Sequence, residues 1–152
     1  MPVEPQPPSP ETPLGGGCLC GGVRFEVTEP FLTAGYCHCT HCQRRTGTAS
    51  SISARVARTG FRLVSGAELI ETFQPNPESN PKLFCRRCGG HLFSGDPVAG
   101  ESFAIRLGAL DRDPGIRPEH RQWVDSAVTW EAIPDDGLPR FGGPRTGPRT
   151  HD

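Results

Sequence analysis

Apolar residues through the middle of the chain recur with a period of two, the spacing that places alternate side chains on one face of a β-strand. Val23, Phe25 and Val27 alternate with Arg24 and Glu26 and predict a half-buried strand. Ile52 and Ala54, set among Ser51, Ser53 and Arg55, predict a second. Phe103, Ile105 and Leu107, between Ser102, Ala104 and Arg106, give the clearest late strand. Short apolar pieces around Phe61, Leu69, Phe73, Leu83 and Leu92 supply others, cut by Gly60, Gly66, Gly90 and Gly95. Pro75, Pro77 and Pro81 mark a long connection. Arg121 to Trp130 is ambiguous, because Trp123, Val124, Ala127 and Val128 fit helical spacing as well as strand. Trp123 and Trp130 are expected in the core. The pattern predicts a mainly β, small antiparallel-sheet domain with little helix.

The pattern fades at both ends. Residues 1–13 hold six prolines and almost nothing apolar, which predicts a disordered Pro-rich arm. Residues 142–152, with Gly-Pro-Arg-Thr at 143–146 and again at 147–150, predict a flexible tail. The folded part is then 14–141. Its core is thin: of 152 residues, 19 are Gly and 17 Pro, and only 34% are hydrophobic. Something besides apolar burial is needed to hold the fold.

Charge narrows the function classes. Sixteen Lys+Arg against 17 Asp+Glu leave −1, and Lys82 is the single lysine, so little attracts a nucleic-acid backbone. No apolar run reaches the roughly 18 residues of a membrane span, and no signal peptide opens the chain, so a cytoplasmic location is expected. In a reducing compartment the seven cysteines read as metal ligands or reactive thiols before disulfides.

Those cysteines fall into three groups, Cys18-Leu-Cys20, Cys37-His-Cys39-Thr-His-Cys42 and Cys85-Arg-Arg-Cys88. The outer pairs each run into two glycines, Gly21-Gly22 and Gly89-Gly90, which permit the tight turns of zinc knuckles. Two such pairs make a four-thiolate tetrahedron, the closed donor set of structural zinc. Buried free cysteines or a disulfide are the bland alternative. The middle group supplies three thiolates, the number a catalytic zinc takes from the protein. His38 or His41 as a fourth ligand would close that site. A zinc ribbon of Cys39 and Cys42 with Cys85 and Cys88 would leave Cys18, Cys20 and Cys37 without a task.

A three-thiolate zinc favours a visiting soft ligand, above all another thiolate. Ionising a thiol of pKa near 8.5 gains at most about thirtyfold at pH 7, so larger gains must come from holding the electrophile beside the sulfur. Arg44 and Arg45, just after the triad, are candidate anchors for the carboxylates of such a cosubstrate. Asp111 is read as part of a turn rather than a base. His91 is read as a strand residue, and His120 and His151 carry no signal.

Cys-x-Cys-Gly-x-Val-x-Phe at 18–25, Cys-His-Cys-x-x-Cys-x-Arg-x-x-Gly at 37–47 and Phe-Cys-x-x-Cys-Gly at 84–89 resemble the glutathione-dependent formaldehyde-activating enzyme family, a domain also seen in centromere protein V. Leu107-Gly108-Ala109-Leu110-Asp111 and Leu138-Pro139-Arg140-Phe141 extend the likeness over about 15–141. The resemblance implies two zinc ions, a structural one on Cys18, Cys20, Cys85 and Cys88 and a catalytic one on Cys37, Cys39 and Cys42. It also implies glutathione as cosubstrate, an aldehyde-type electrophile, and a carbon–sulfur lyase forming S-hydroxymethylglutathione from formaldehyde. The loops between Val56 and Phe84 look compressed against the family pattern, where part of a glutathione pocket would lie. The rival reading is a non-enzymatic zinc module that docks a protein partner.

Overall fold

The computed structural model describes residues 4–147 and 149–150. In chain order the first strands are β1 (Leu14–Gly17), β2 (Arg24–Val27), β3 (Thr33–Cys37), β4 (Ser51–Ala57), β5 (Phe61–Ser65) and β6 (Ile70–Phe73). Then come β7 (Lys82–Cys85), β8 (His91–Ser94), β9 (Ser102–Arg106), β10 (Arg121–Gln122), β11 (Arg140–Phe141) and β12 (Arg149–Thr150). The one α-helix among the described residues, α1 (Thr40–Thr46), follows β3. The chain divides into two compact units, the first running to Leu32 and over Ala54–Ile116, the second over Thr33–Ser53 and from Arg117 on.

In the first unit β1, β2 and β5 form an antiparallel sheet, with Phe25 opposite Gly16 on one side and Leu63 on the other. Strands β6, β7, β8 and β9 pair antiparallel in sequence. Alternation works as read in β2 and β9, where Phe25, Val27, Phe103 and Ile105 are buried and their neighbours are not. Phe25, Phe61, Phe93 and Phe103 meet at centroid distances of 4.8–5.6 Å, mostly edge to face. Each fully buried phenylalanine contributes roughly 1.5–3 kcal/mol. Gly16 is required by this packing, since a Cβ there would stand 2.4 Å from the Phe25 ring. Asp111 is engaged by Arg24, whose Nη1 donates to its Oδ1 at 3.1 Å, so it serves an ion pair besides its turn.

Of residues 1–13, read from composition as a disordered arm, 1–3 lie outside the described residues and 4–13 belong to this unit. Pro8 is fully buried, and Arg112 Nη2 donates to the Thr12 carbonyl at 3.1 Å. Ser9 and Thr12 exchange backbone hydrogen bonds at 3.2 Å. Prolines lose little conformational freedom on ordering, so few contacts suffice to hold them.

In the second unit β10 lies parallel to β3, with Arg121 opposite Tyr36 and Gln122 opposite Cys37. It is also parallel to β11, which pairs antiparallel with β12. The domain is thus mainly β as expected, but the sheet that holds β10 is mixed rather than wholly antiparallel. Part of the expected tail, Arg149–Thr150, supplies β12. The ambiguous segment is neither a long strand nor a helix. β10 stops after two residues because Trp123 turns into the left-handed region at φ 58°, and a 3-10 turn, Val124–Ser126, follows. Neither period continues, so the indoles are not carried inward: Trp123 is 39% and Trp130 69% exposed, against the expectation of core residues. No helix among the described residues is long and apolar enough to cross a membrane.

Candidate metal centres

The seven cysteines stand as two groups of sulfurs, one in each unit, and none forms a disulfide. Cys18 and Cys20 occupy the turn from β1 to β2, where Gly21 takes φ +76° and its N–H reaches the Cys18 carbonyl at 3.1 Å. Cys85 ends β7, and Gly89 at φ +75° donates to the Cys85 carbonyl at 2.7 Å. Both turns need the glycine conformation that the sequence supplies. They bring the four Sγ atoms within 4.8 Å of one another, with Cys18–Cys20 at 3.6 Å and Cys20–Cys85 at 3.8 Å. A tetrahedron with Zn–S of about 2.3 Å has S···S edges of about 3.8 Å, so this donor set fits zinc. The Val23 N–H donates to Cys18 Sγ at 3.3 Å. Backbone N–H groups of Cys20 and Gly90 pull the Cys88 thiol down to about 6, which favours the thiolate a metal requires.

The second group is built by a strand end and a helix start. Cys37 closes β3, Cys39 is the N-cap of α1, and Cys42 lies in its first turn, with the three Sγ atoms again within 4.8 Å. Cys39 Sγ accepts the Cys42 N–H at 3.3 Å in the manner of a capping side chain. The Thr46 hydroxyl donates to the Cys42 carbonyl at 2.7 Å, and Gly47 ends the helix at φ 70°. Cys39 and Cys42 thiols, with burial, hold the Cys37 proton well above the ordinary thiol range. Three sulfurs this close resist joint ionisation unless a cation neutralises them, so this donor chemistry also fits a soft divalent metal.

Neither candidate fourth ligand joins that group among the described residues. His41 is exposed on α1. His38 is 4% exposed, and its Nε2 meets Arg121 Nη1 at 3.2 Å. A guanidinium only donates, so Nε2 is the acceptor and the ring is neutral. Burial and the Arg121 charge hold His38 below its ordinary pKa, in agreement. The ribbon pairing is also excluded by placement, since Cys39 and Cys42 group with Cys37, and Cys85 and Cys88 with Cys18 and Cys20. His91 opens β8 and enters neither group.

Arg44 and Arg45 lie in the last turn of α1, the first exposed and the second partly buried. Sequence reasoning missed the polar residues around the trio. Arg121 is 6% exposed, its Nε and Nη2 donate to Asp136 Oδ2 at 3.2 and 2.8 Å, and its guanidinium carbon lies 3.9 Å from the Tyr36 ring centroid. Gln43 Nε2 donates to the carbonyls of His38 at 2.7 Å and Ser126 at 2.8 Å. The only signal for Gln43 was its place next to Cys42; Arg121 and Asp136 had none.

The model of a family described as glutathione-dependent formaldehyde-activating enzyme matches residues 13–126. A Sordaria macrospora protein named for the same activity is 26% identical over 94 residues, 58% of this chain, and the chain spans 39% of that relative's length. A crystal structure of a Rhodobacter sphaeroides protein aligns with a TM-score of 0.53 at 29% identity, covering 68% of this chain and 91% of that one.

Proposed function

The chain belongs to the glutathione-dependent formaldehyde-activating enzyme family, and from that premise we propose that it is a zinc-dependent carbon–sulfur lyase acting on glutathione adducts. Cys37, Cys39 and Cys42 would hold a catalytic zinc, and Cys18, Cys20, Cys85 and Cys88 a structural one. When bound at the trio, the metal supplies a positive charge that keeps a visiting thiol ionised at neutral pH. In the proposed reaction the glutathione sulfur bonds the formaldehyde carbon, the carbonyl electron pair moves to oxygen, and the thiol proton ends there, giving S-hydroxymethylglutathione. Arg44 and Arg45 would bind the carboxylates of glutathione, orienting the sulfur toward the trio.

The observation that carries this reading is the donor count: three sulfurs converge while the adjacent His38 is turned to Arg121. The same observation weighs against a closed docking module, which would want a fourth protein ligand. Residues 14–141 would form the working domain, with 1–13 as its Pro-rich arm and 142–152 as its tail. Metal analysis and turnover of glutathione with formaldehyde test the proposal together. Two zinc ions per chain, with glutathione-dependent consumption of formaldehyde abolished by Cys39→Ser, is the expected result. Turnover that persists after the trio's metal is lost overturns it.

A further inference from the structure

We infer that Arg121 is a positioning residue for the three-cysteine centre: locked by Asp136 and seated on Tyr36, it holds the His38 ring and thereby the backbone that carries Cys37 and Cys39. The inference deepens the proposed function and rests on reading the trio as a metal-held thiol site.

His38 is the residue between two of the three sulfurs, and it is held at three atoms. Its N–H donates to the Gln122 carbonyl at 3.0 Å, its carbonyl accepts from Gln43 at 2.7 Å, and its Nε2 accepts from Arg121 at 3.2 Å. Gln43 belongs to α1 beside Cys42, so the network reaches all three cysteines. Arg121 is fixed in turn by two donor bonds to one Asp136 oxygen and by stacking on Tyr36, whose neighbour is Cys37. The guanidinium does two things here. It determines which imidazole nitrogen carries the proton, so Nε2 is not offered to a metal at the trio. It also sits on the ring of Tyr36, the residue before Cys37, while Asp136 balances its charge, so the strand end is tied to the same group. Partners bonded directly to a ligating side chain cost about 10–100-fold in metal affinity when removed, and a group acting through His38 falls at the lower end of that range.

The test uses the full chain loaded with cobalt(II), whose thiolate charge-transfer bands report each sulfur centre, and a chromophoric chelator as competitor. Cys39→Ser identifies the signal of the trio. Arg121→Met is expected to weaken cobalt at the trio by about tenfold while leaving the four-cysteine centre unchanged. Arg121→Lys keeps the charge but not the planar fork, and is expected to recover less than half of that loss on a logarithmic scale. Asp136→Asn, which leaves Arg121 and His38 in place, is expected to give a smaller loss of the same sign. Cobalt affinity at the trio within twofold of wild type in a folded Arg121→Met chain overturns the inference, as does an equal loss at both centres. Should Arg121→Met fail to fold, unchanged trio affinity in Asp136→Asn overturns it. Glutathione is then added to the wild-type cobalt protein. No change in its bands, alongside weakened cobalt in Arg121→Met, sinks the catalytic reading and leaves the positioning role standing.

Discussion

At Gly22 a methyl group would stand 2.5 Å from Leu69 Cδ1 and 3.4 Å from Cys20 Sγ, inside a turn whose path is set by the neighbouring cysteines. Leu69 is buried, so it has little room to retreat. Gly22→Ala is expected to cost roughly 1–3 kcal/mol by overpacking and to loosen metal at the four-cysteine centre. Chemical denaturation and chelator competition read both effects; wild-type values in each would show that the turn has slack. A second residue-scale expectation concerns pH. Arg121 holds the Asp136 carboxyl below its ordinary range, so the pair's stabilisation is present above the unfolded pKa of about 3.9 and lost as pH falls through the depressed folded value. The stability advantage of wild type over Asp136→Asn, measured by denaturation from pH 6 down to pH 2, should shrink in acid. An advantage that grows there contradicts the assignment. The cysteine grouping was readable in the sequence because short spacing and following glycines are local. Arg121 was not: it reaches His38 across 83 positions, and nothing near it announces the contact.

Among the elements, α1 is the one that matters most to the trio, because its N-cap and first turn each carry a sulfur. It is only seven residues long and is ended by Gly47 in the left-handed region, where a methyl group on the Cα would meet nothing within 4 Å. Gly47→Ala therefore introduces backbone strain without a clash, expected to cost about 1–2 kcal/mol. Thermal unfolding followed by circular dichroism measures it, and an unchanged midpoint would mean the helix end relaxes freely. Strands β2 and β9 were legible because one face is buried and the other is not. β10 was not, because its length is decided by what surrounds it. Trp123 N–H bonds the Gly143 carbonyl at 2.8 Å, and Gln43 holds the following turn through Ser126, neither of which the local pattern encodes. The parallel pairing of β10 with β3 is likewise a long-range fact.

Across the whole molecule the two sulfur centres should fail differently. Cys85 is completely buried at the end of β7, and its unit relies on a small aromatic core. Structural zinc is worth roughly 10–16 kcal/mol in small peptides, against about 5–15 kcal/mol for an entire domain. Cys85→Ser is expected to release that metal and unfold its unit. Cys39→Ser is expected to keep the fold, as judged by proton NMR dispersion, and to lose activity. If the two variants behave alike, the division of labour is wrong. Composition does not encode the contacts of the N-terminal residues: Pro8 is fully buried, and Arg112 donates to the carbonyls of Gln6, Thr12 and Pro13. The most direct measurement for the central claim is X-ray absorption at the zinc edge of the intact protein, with and without glutathione. The account predicts that glutathione adds one sulfur neighbour to the zinc held by Cys37, Cys39 and Cys42. An unchanged sulfur count at saturating glutathione would contradict it.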